Sequence, residues 1–265
     1  AAEPTMHEGT EETFDENAPA VEVRHVDFSF AGSEEKLLSN IDFTIERGET
    51  VGIIGGTGAG KSVLVNLLMR LHDVTGGEVR IFGRDVRDCT FAALRGAVHI
   101  VSQGSRLFQG TVRENLLCGK RDISDEALRQ ALRIAQCSEF VDKLPEGLDA
   151  PVEEGGKNFS GGQRQRLCVA RALVGDPEIL IFDDSSSALD YATDANMRSA
   201  VSKELRGKTV LYVAQRVSTV RNADKIILLD DGEVRGIGTH QALYTENELY
   251  REICDSQLSE SEAVS

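Results

Sequence analysis

From Val21 the chain alternates apolar and polar positions, VEVRHVDFSF and then IDFTIERG, which predicts two half-buried strands joined by polar turns. ETVGIIGG (49–56) is a near-continuous apolar run into glycines, the pattern of a buried strand. KSVLVNLLMRL (61–71) switches to helical spacing. EVRIFG (78–83) and AVHIVSQ (97–103) return to strand patterns, the second stopping at Gln103. Residues 104–158 change character: EALRQALRIAQC and SEFVDKL carry helical periodicity, so a mostly helical insertion is expected between strands. A helix opening at Ser160, the strand ILIFDD, a helix near 193–206 and the strand TVLYVAQ (209–215) follow. KIILLDD and GEVRGIG flank a turn at Asp231-Gly232, and helices near 239–244 and 246–257 close the pattern. Strands alternating with helices imply an α/β fold built on a largely parallel sheet.

Bulk properties narrow the function class. At 265 residues the chain is long enough for a sizeable core. No apolar run approaches the roughly 18–20 residues that cross a bilayer, and no signal peptide is recognisable, so this stretch is not expected to span a membrane. The start on Ala1 is that expected of a fragment. Of the net charge of −15, the six acids of residues 1–20 and the four of 252–265, with no Lys or Arg in either, supply ten. Both tails are therefore expected to be solvated and poorly ordered. The remaining mildly acidic body argues against a nucleic-acid groove, which needs a basic stripe. Five cysteines (89, 118, 137, 168, 254) lack CxxC spacing and fit a reducing compartment, most of them as small buried residues.

Chemistry concentrates in two blocks. Gly55, Gly56, Thr57, Gly58, Ala59, Gly60, Lys61 and Ser62 form GxxxxGKS between a predicted strand and a predicted helix. Glycines there let backbone N–H groups point at phosphate oxygens, and the helix adds its positive N-terminus. Lys61 is the expected partner of the β- and γ-phosphates, and the Ser62 hydroxyl a Mg²⁺ ligand. The second block, 158–190, reads NFSGGQRQRLCVARALVGDPEILIFDDSSSALD. It places Asp183 at the end of an apolar strand, where a carboxylate needs a nearby cation; Mg²⁺ is the expected one.

With GGTGAGKS, Gln103, FSGGQ, ILIFDD and SALD in this order, residues 21–258 resemble the nucleotide-binding domain of ABC (ATP-binding cassette) transporters. The resemblance implies a P-loop NTPase core with a parallel sheet, an N-terminal antiparallel β subdomain and a helical insertion subdomain at about 104–170. It implies ATP and Mg²⁺ as ligands. Gln103 would sense Mg²⁺ and the γ-phosphate. Ser160, Gly161, Gly162 and Gln163 would bind the γ-phosphate held by an opposing subunit, in keeping with a serine and glycines at a helix start. Residues 187–190 resemble the loop that crosses the dimer interface. Phe30 takes the place of the aromatic residue that stacks on adenine; read without the resemblance it is a core strand residue.

LFQGTVRENLLCG (107–119) and VEEGGKNFSGGQ, with Glu154 in the acidic position, resemble exporter-type cassettes. That likeness implies a fused or associated transmembrane domain, a place on the cytoplasmic face of the cell membrane, a leader (1–20) linking the two, and a short tail (259–265). Soluble family members of chromosome maintenance or translation carry a coiled-coil insertion or a tandem second cassette, and this chain has neither.

Two positions depart from the family pattern. Asp184 stands where a glutamate orients the attacking water, and it is shorter by one C–C bond, about 1.5 Å. Misplacement on the order of 1 Å can cost a hundredfold in rate. Gln215 stands where a histidine is expected; glutamine donates a hydrogen bond but carries no charge. The loss falls on the hydrolytic pair alone, which resembles the degenerate half of heterodimeric multidrug exporters. The expectation is weak hydrolysis at this chain's own site, an intact signature for a partner's site, and a second half-transporter as partner. The alternative is a fully active ATPase motor of a homodimeric exporter, each swap being tolerated.

Overall fold

In the computed structural model, residues 6–33, 35–104, 106–184 and 189–263 are described. In chain order the elements begin with strands β1 (Val21–Phe28), β2 (Leu38–Ile45) and β3 (Thr50–Ile54), then helix α1 (Lys61–Leu68). Next come β4 (Gly76–Ile81), β5 (Arg84–Asp85), α2 (Phe91–Ala97) and β6 (Val98–Val101). The middle of the chain supplies β7 (Gly110–Thr111), α3 (Val112–Leu117), α4 (Asp125–Ile134), α5 (Ser138–Val141), β8 (Pro151–Val152) and α6 (Gly161–Leu173). It continues with β9 (Ile179–Asp183), α7 (Tyr191–Glu204), β10 (Thr209–Ala214) and α8 (Val217–Val220). The hairpin β11 (Lys225–Asp230) and β12 (Glu233–Gly238) and the helices α9 (His240–Glu246) and α10 (Glu248–Ala263) complete the order.

Two units arise, one from residues 1–98 with 209–265 and one from residues 99–208. In the first unit β3 lies between β10 and β11, parallel to both, with Ala214 and Leu228 each opposite Ile54. β12 closes the edge antiparallel to β11. All six residues of β10 and four of β3 are buried, as the unbroken apolar runs require. A second sheet, β2-β1-β4-β5, is antiparallel throughout. Val21 and Val23, then Val26 and Phe28, point into its core; the alternation read from the sequence slips by one residue at an irregularity around His25, which holds φ 48°. The architecture is mixed α/β with an antiparallel β subdomain, as expected.

The leader differs from the expectation of poor order. Within residues 6–20, Gly9 N–H donates to Cys89 O (3.2 Å), Glu11 N–H to Asp88 O (2.9 Å), and Thr90 N–H returns to Glu11 O (2.9 Å). Phe14 meets Phe82 edge-on at 5.7 Å, and the Arg47 guanidinium covers the same ring at 4.0 Å while bonding Asp15 O and Ala18 O. Composition misled because the leader is tied down by its backbone, by one aromatic ring and by the Glu8 carboxylate, which accepts from Phe91 N–H at 2.8 Å. The far end also extends beyond expectation, since α10 runs on to Ala263.

The second unit carries the helices α3 to α7 together with β9 beside β6. Sequence-local caps start these helices. Thr111 and Glu114 form a reciprocal capping box on α3, Ser124 Oγ accepts from Ala127 N–H on α4, and Asp190 Oδ1 accepts from Thr193 N–H on α7. α6 buries Leu167, Cys168, Val169, Ala170, Ala172 and Leu173, each large apolar side chain contributing about 1.5–3 kcal/mol. Among the described residues no helix is long and apolar enough to cross a membrane.

Candidate functional site

In the first unit the glycine loop leaves β3 and enters α1. Gly60 holds φ 97° at the N-cap, and a Cβ there would stand 2.6 Å from Leu38 Cδ2 and 3.1 Å from Leu37 O, so only glycine fits. The turn between β11 and β12 supports the loop from behind, Gly232 N–H donating to Ala59 O at 3.3 Å. Gly56, Thr57 and Gly58 form an exposed rim, and Ser62 is exposed on the first turn of α1. Lys61 is only 8% exposed, its ammonium donating to Gly55 O and Gly56 O at 2.7 Å each. A buried cation curled inside an open ring of backbone is the donor set that a polyphosphate fits.

Two further candidates belong to this unit. β10 runs beside β3 with Ala214 opposite Ile54, so Gln215 follows at the level where the glycine loop departs. Its side chain is exposed. Phe30 lies just past the end of β1 and is 47% exposed, edge-on to Phe28 (5.1 Å) and His72 (5.4 Å). It is therefore no core residue; a half-open ring propped on two others can offer its edge and face to a flat base.

In the second unit the neighbouring strands β6 and β9 bring Gln103 and Asp184 together, Gln103 Nε2 donating to Asp184 Oδ2 at 3.4 Å. Asp183 ends β9, half-buried. Asp184 turns off the strand at φ 42°, in the left-handed region, which aspartate tolerates better than most residues. That conformation was not legible in the sequence.

Ser160 is the N-cap of α6. Its Oγ accepts from Gln163 N–H at 3.2 Å, and Gln163 Oε1 accepts from Ser160 N–H at 2.9 Å. The S-x-x-Q spacing is thus a capping box, a local signal the motif reading passed over. Phe159, next to Ser160, is buried against Phe140 at 6.1 Å. Glu154, itself exposed, opens a short 3₁₀ turn before this helix, and Gly156 at the end of the turn is buried. Of the loop at 187–190, Ser187 and Ala188 lie outside the described residues. Among the described residues no cluster of three or more His, Cys, Asp or Glu could hold a metal by itself.

The sequence pattern of the ABC transporter family matches residues 38–187. The chain is 39% identical over 241 residues to an ATP-dependent lipid A-core flippase of Haemophilus influenzae, covering 91% of this chain and 41% of that protein. It is 38% identical over 237 residues to a putative multidrug export ATP-binding/permease protein of Staphylococcus aureus, with 89% and 41% covered. It spans about two fifths of the length of these curated relatives. Among solved structures, a bacterial Atm1-family ABC exporter with ATP bound superposes with a TM-score of 0.87 at 34% identity, over 96% of this chain and 44% of that one. A phosphate loop, a capped SGGQ helix and a strand ending in paired aspartates, within a sequence matched over more than half its length, identify this chain as a member of the ABC transporter family, an ATP-binding domain homologous to those of exporter-type half-transporters.

Proposed function

We propose that this domain binds Mg-ATP at an interface with a second cassette, retains it with weak hydrolysis at its own site, and completes the partner's active site with Ser160, Gly161, Gly162 and Gln163. The work it powers is transport through a fused or associated transmembrane domain, on the cytoplasmic face of the cell membrane. The second cassette belongs to a different half-transporter, making a heterodimer.

Lys61 and the backbone of residues 55–60 take the phosphates, and Phe30 takes adenine. Ser62, Gln103 and Asp183 are the residues that would hold Mg²⁺, which when bound neutralises charge on the β- and γ-phosphates. The observation that carries the reading is the pair of departures beside an intact binding apparatus. Asp184 has a short carboxylate already shared with the Gln103 amide, and Gln215 brings a neutral donor to the level of the phosphate loop. Orienting a water for in-line attack needs a carboxylate at full glutamate reach and a donor that strengthens as charge develops.

Steady-state ATP turnover of this chain, at high concentration, is compared with that of the Asp184→Glu/Gln215→His double variant. A rise of about a hundredfold in the variant is expected. Equal turnover in both would favour the fully active motor of a homodimeric exporter. In a partner-bearing complex, equal hydrolysis at the two composite sites would sink the asymmetry.

A further inference from the structure

Gln215 and Arg216 form the two-residue bend between β10 and α8. Arg216 is the N-cap of α8 but makes no side-chain cap bond. The first N–H of that helix is satisfied from forty residues downstream. Val217 N–H donates to Gln257 Oε1 at 2.8 Å, and Gln257 Nε2 donates to Gln215 O at 2.8 Å. One carboxamide therefore straddles the bend, and its orientation is fixed by chemistry: the oxygen must face the Val217 donor and the nitrogen the Gln215 acceptor.

The helix bearing this side chain is not a loose tail. Tyr250 of α10 is fully buried, with its hydroxyl 2.9 Å from His240 Nδ1. Asn247, just ahead of α10, accepts from Tyr250 N–H and donates to Arg235 O on β12, both at 2.9 Å. Cys254 is buried one turn further along. The anchor reaches from the β11–β12 hairpin edge to the bend that carries Gln215.

We propose that Gln257 is a positioning residue for Gln215, so that the C-terminal helix α10 sets where the Gln215 side chain stands beside the phosphate loop. The proposal rests on the reading of Gln215 as a residue that faces bound nucleotide. Its consequence is a route of control: whatever displaces α10 displaces Gln215, with no change in the glycine loop itself.

The test uses the full chain with Gln257→Leu and Gln257→Glu, read by NMR. The first readout is amide exchange at Val217 relative to Val213 in β10. Leu removes both bonds, and exchange should rise roughly 5- to 10-fold, the factor of one hydrogen bond. Glu keeps the acceptor for Val217 and should keep its protection. The second readout is the response of the Gln215 side-chain amide resonance to Mg-ATP, expected in the native chain and reduced severalfold in both variants, which lack the donor to Gln215 O. Unchanged Val217 exchange in Gln257→Leu would overturn the clamp. Faster exchange with an unaltered Gln215 response would overturn the positioning role, leaving only a structural staple. No Gln215 response in the native chain would overturn the reading of Gln215 and the proposal with it, while the exchange data still report the clamp.

Discussion

Arg70 offers a sharp test of how the leader is held. The residue follows α1 and is 2% exposed, with Nε 3.1 Å from Asp73 Oδ1, Nη1 3.2 Å from Cys89 O and Nη2 2.6 Å from His7 O. Its guanidinium also lies 5.1 Å from the centre of the Phe91 ring. Arg70→Met keeps an unbranched apolar stem that ends about where Nε stands, and it removes every polar contact. Asp73 is about a third exposed, so the lost ion pair costs about 1 kcal/mol or less. Cys89 O retains the Gly9 donor and the exposed His7 carbonyl returns to water, so neither is orphaned; each lost bond costs about 1 kcal/mol. The cation–ring contact adds about 0.5–1 kcal/mol. Packing of the thioether in the same buried slot offsets part of this, for a net loss of about 2 kcal/mol. Urea denaturation measures that loss, and amide exchange at Gly9 and Glu11 reports the leader separately. A variant within about 0.5 kcal/mol of the native chain, with Gly9 and Glu11 equally protected, would refute this role of Arg70.

Two further outcomes follow from burial and charge. Cys118, at the left-handed C-cap of α3, is the exposed thiol among five free cysteines, and the other four are buried. Thiol labelling at pH 8 should find one fast site; burial, reinforced by Asp88 and Asp85, pushes Cys89 up to about 11, so raising the pH to 9 should leave it unlabelled. A second fast thiol would contradict the packing around it. Asp27 is held below the usual carboxylate range by the Asn40 N–H and then by the Lys36 ammonium. Its stabilisation is complete above the unfolded value near pH 4 and fades as pH falls through the lower folded value. Asp27→Asn should therefore flatten the acid limb of the stability profile below about pH 4, and a parallel, merely shifted limb would count against this role.

Much of the site was legible because its signals are contiguous. The glycine loop between a strand and a helix, the helix start at Ser160, and the apolar strand ending in Asp183 each need only a few neighbouring residues to declare their geometry. Composition failed at the leader, where ten or so polar residues lie on the fold through main-chain bonds that no residue type announces.

By itself the sequence determined most of the α/β order of elements, though not α2 or α8, together with the phosphate loop, the SGGQ helix start and the departures at Asp184 and Gln215, since periodicity and spacing are properties of the chain read in order. Tertiary structure alone decided which distant segments share a neighbourhood. β3 takes β10 and β11 as parallel partners from more than 150 residues away, Arg70 receives the leader, and Gln257 closes on the bend at Gln215. Such pairings depend on which buried surfaces and unsatisfied backbone groups meet once the core has formed, and that is set by three-dimensional complementarity rather than by any local run of residues.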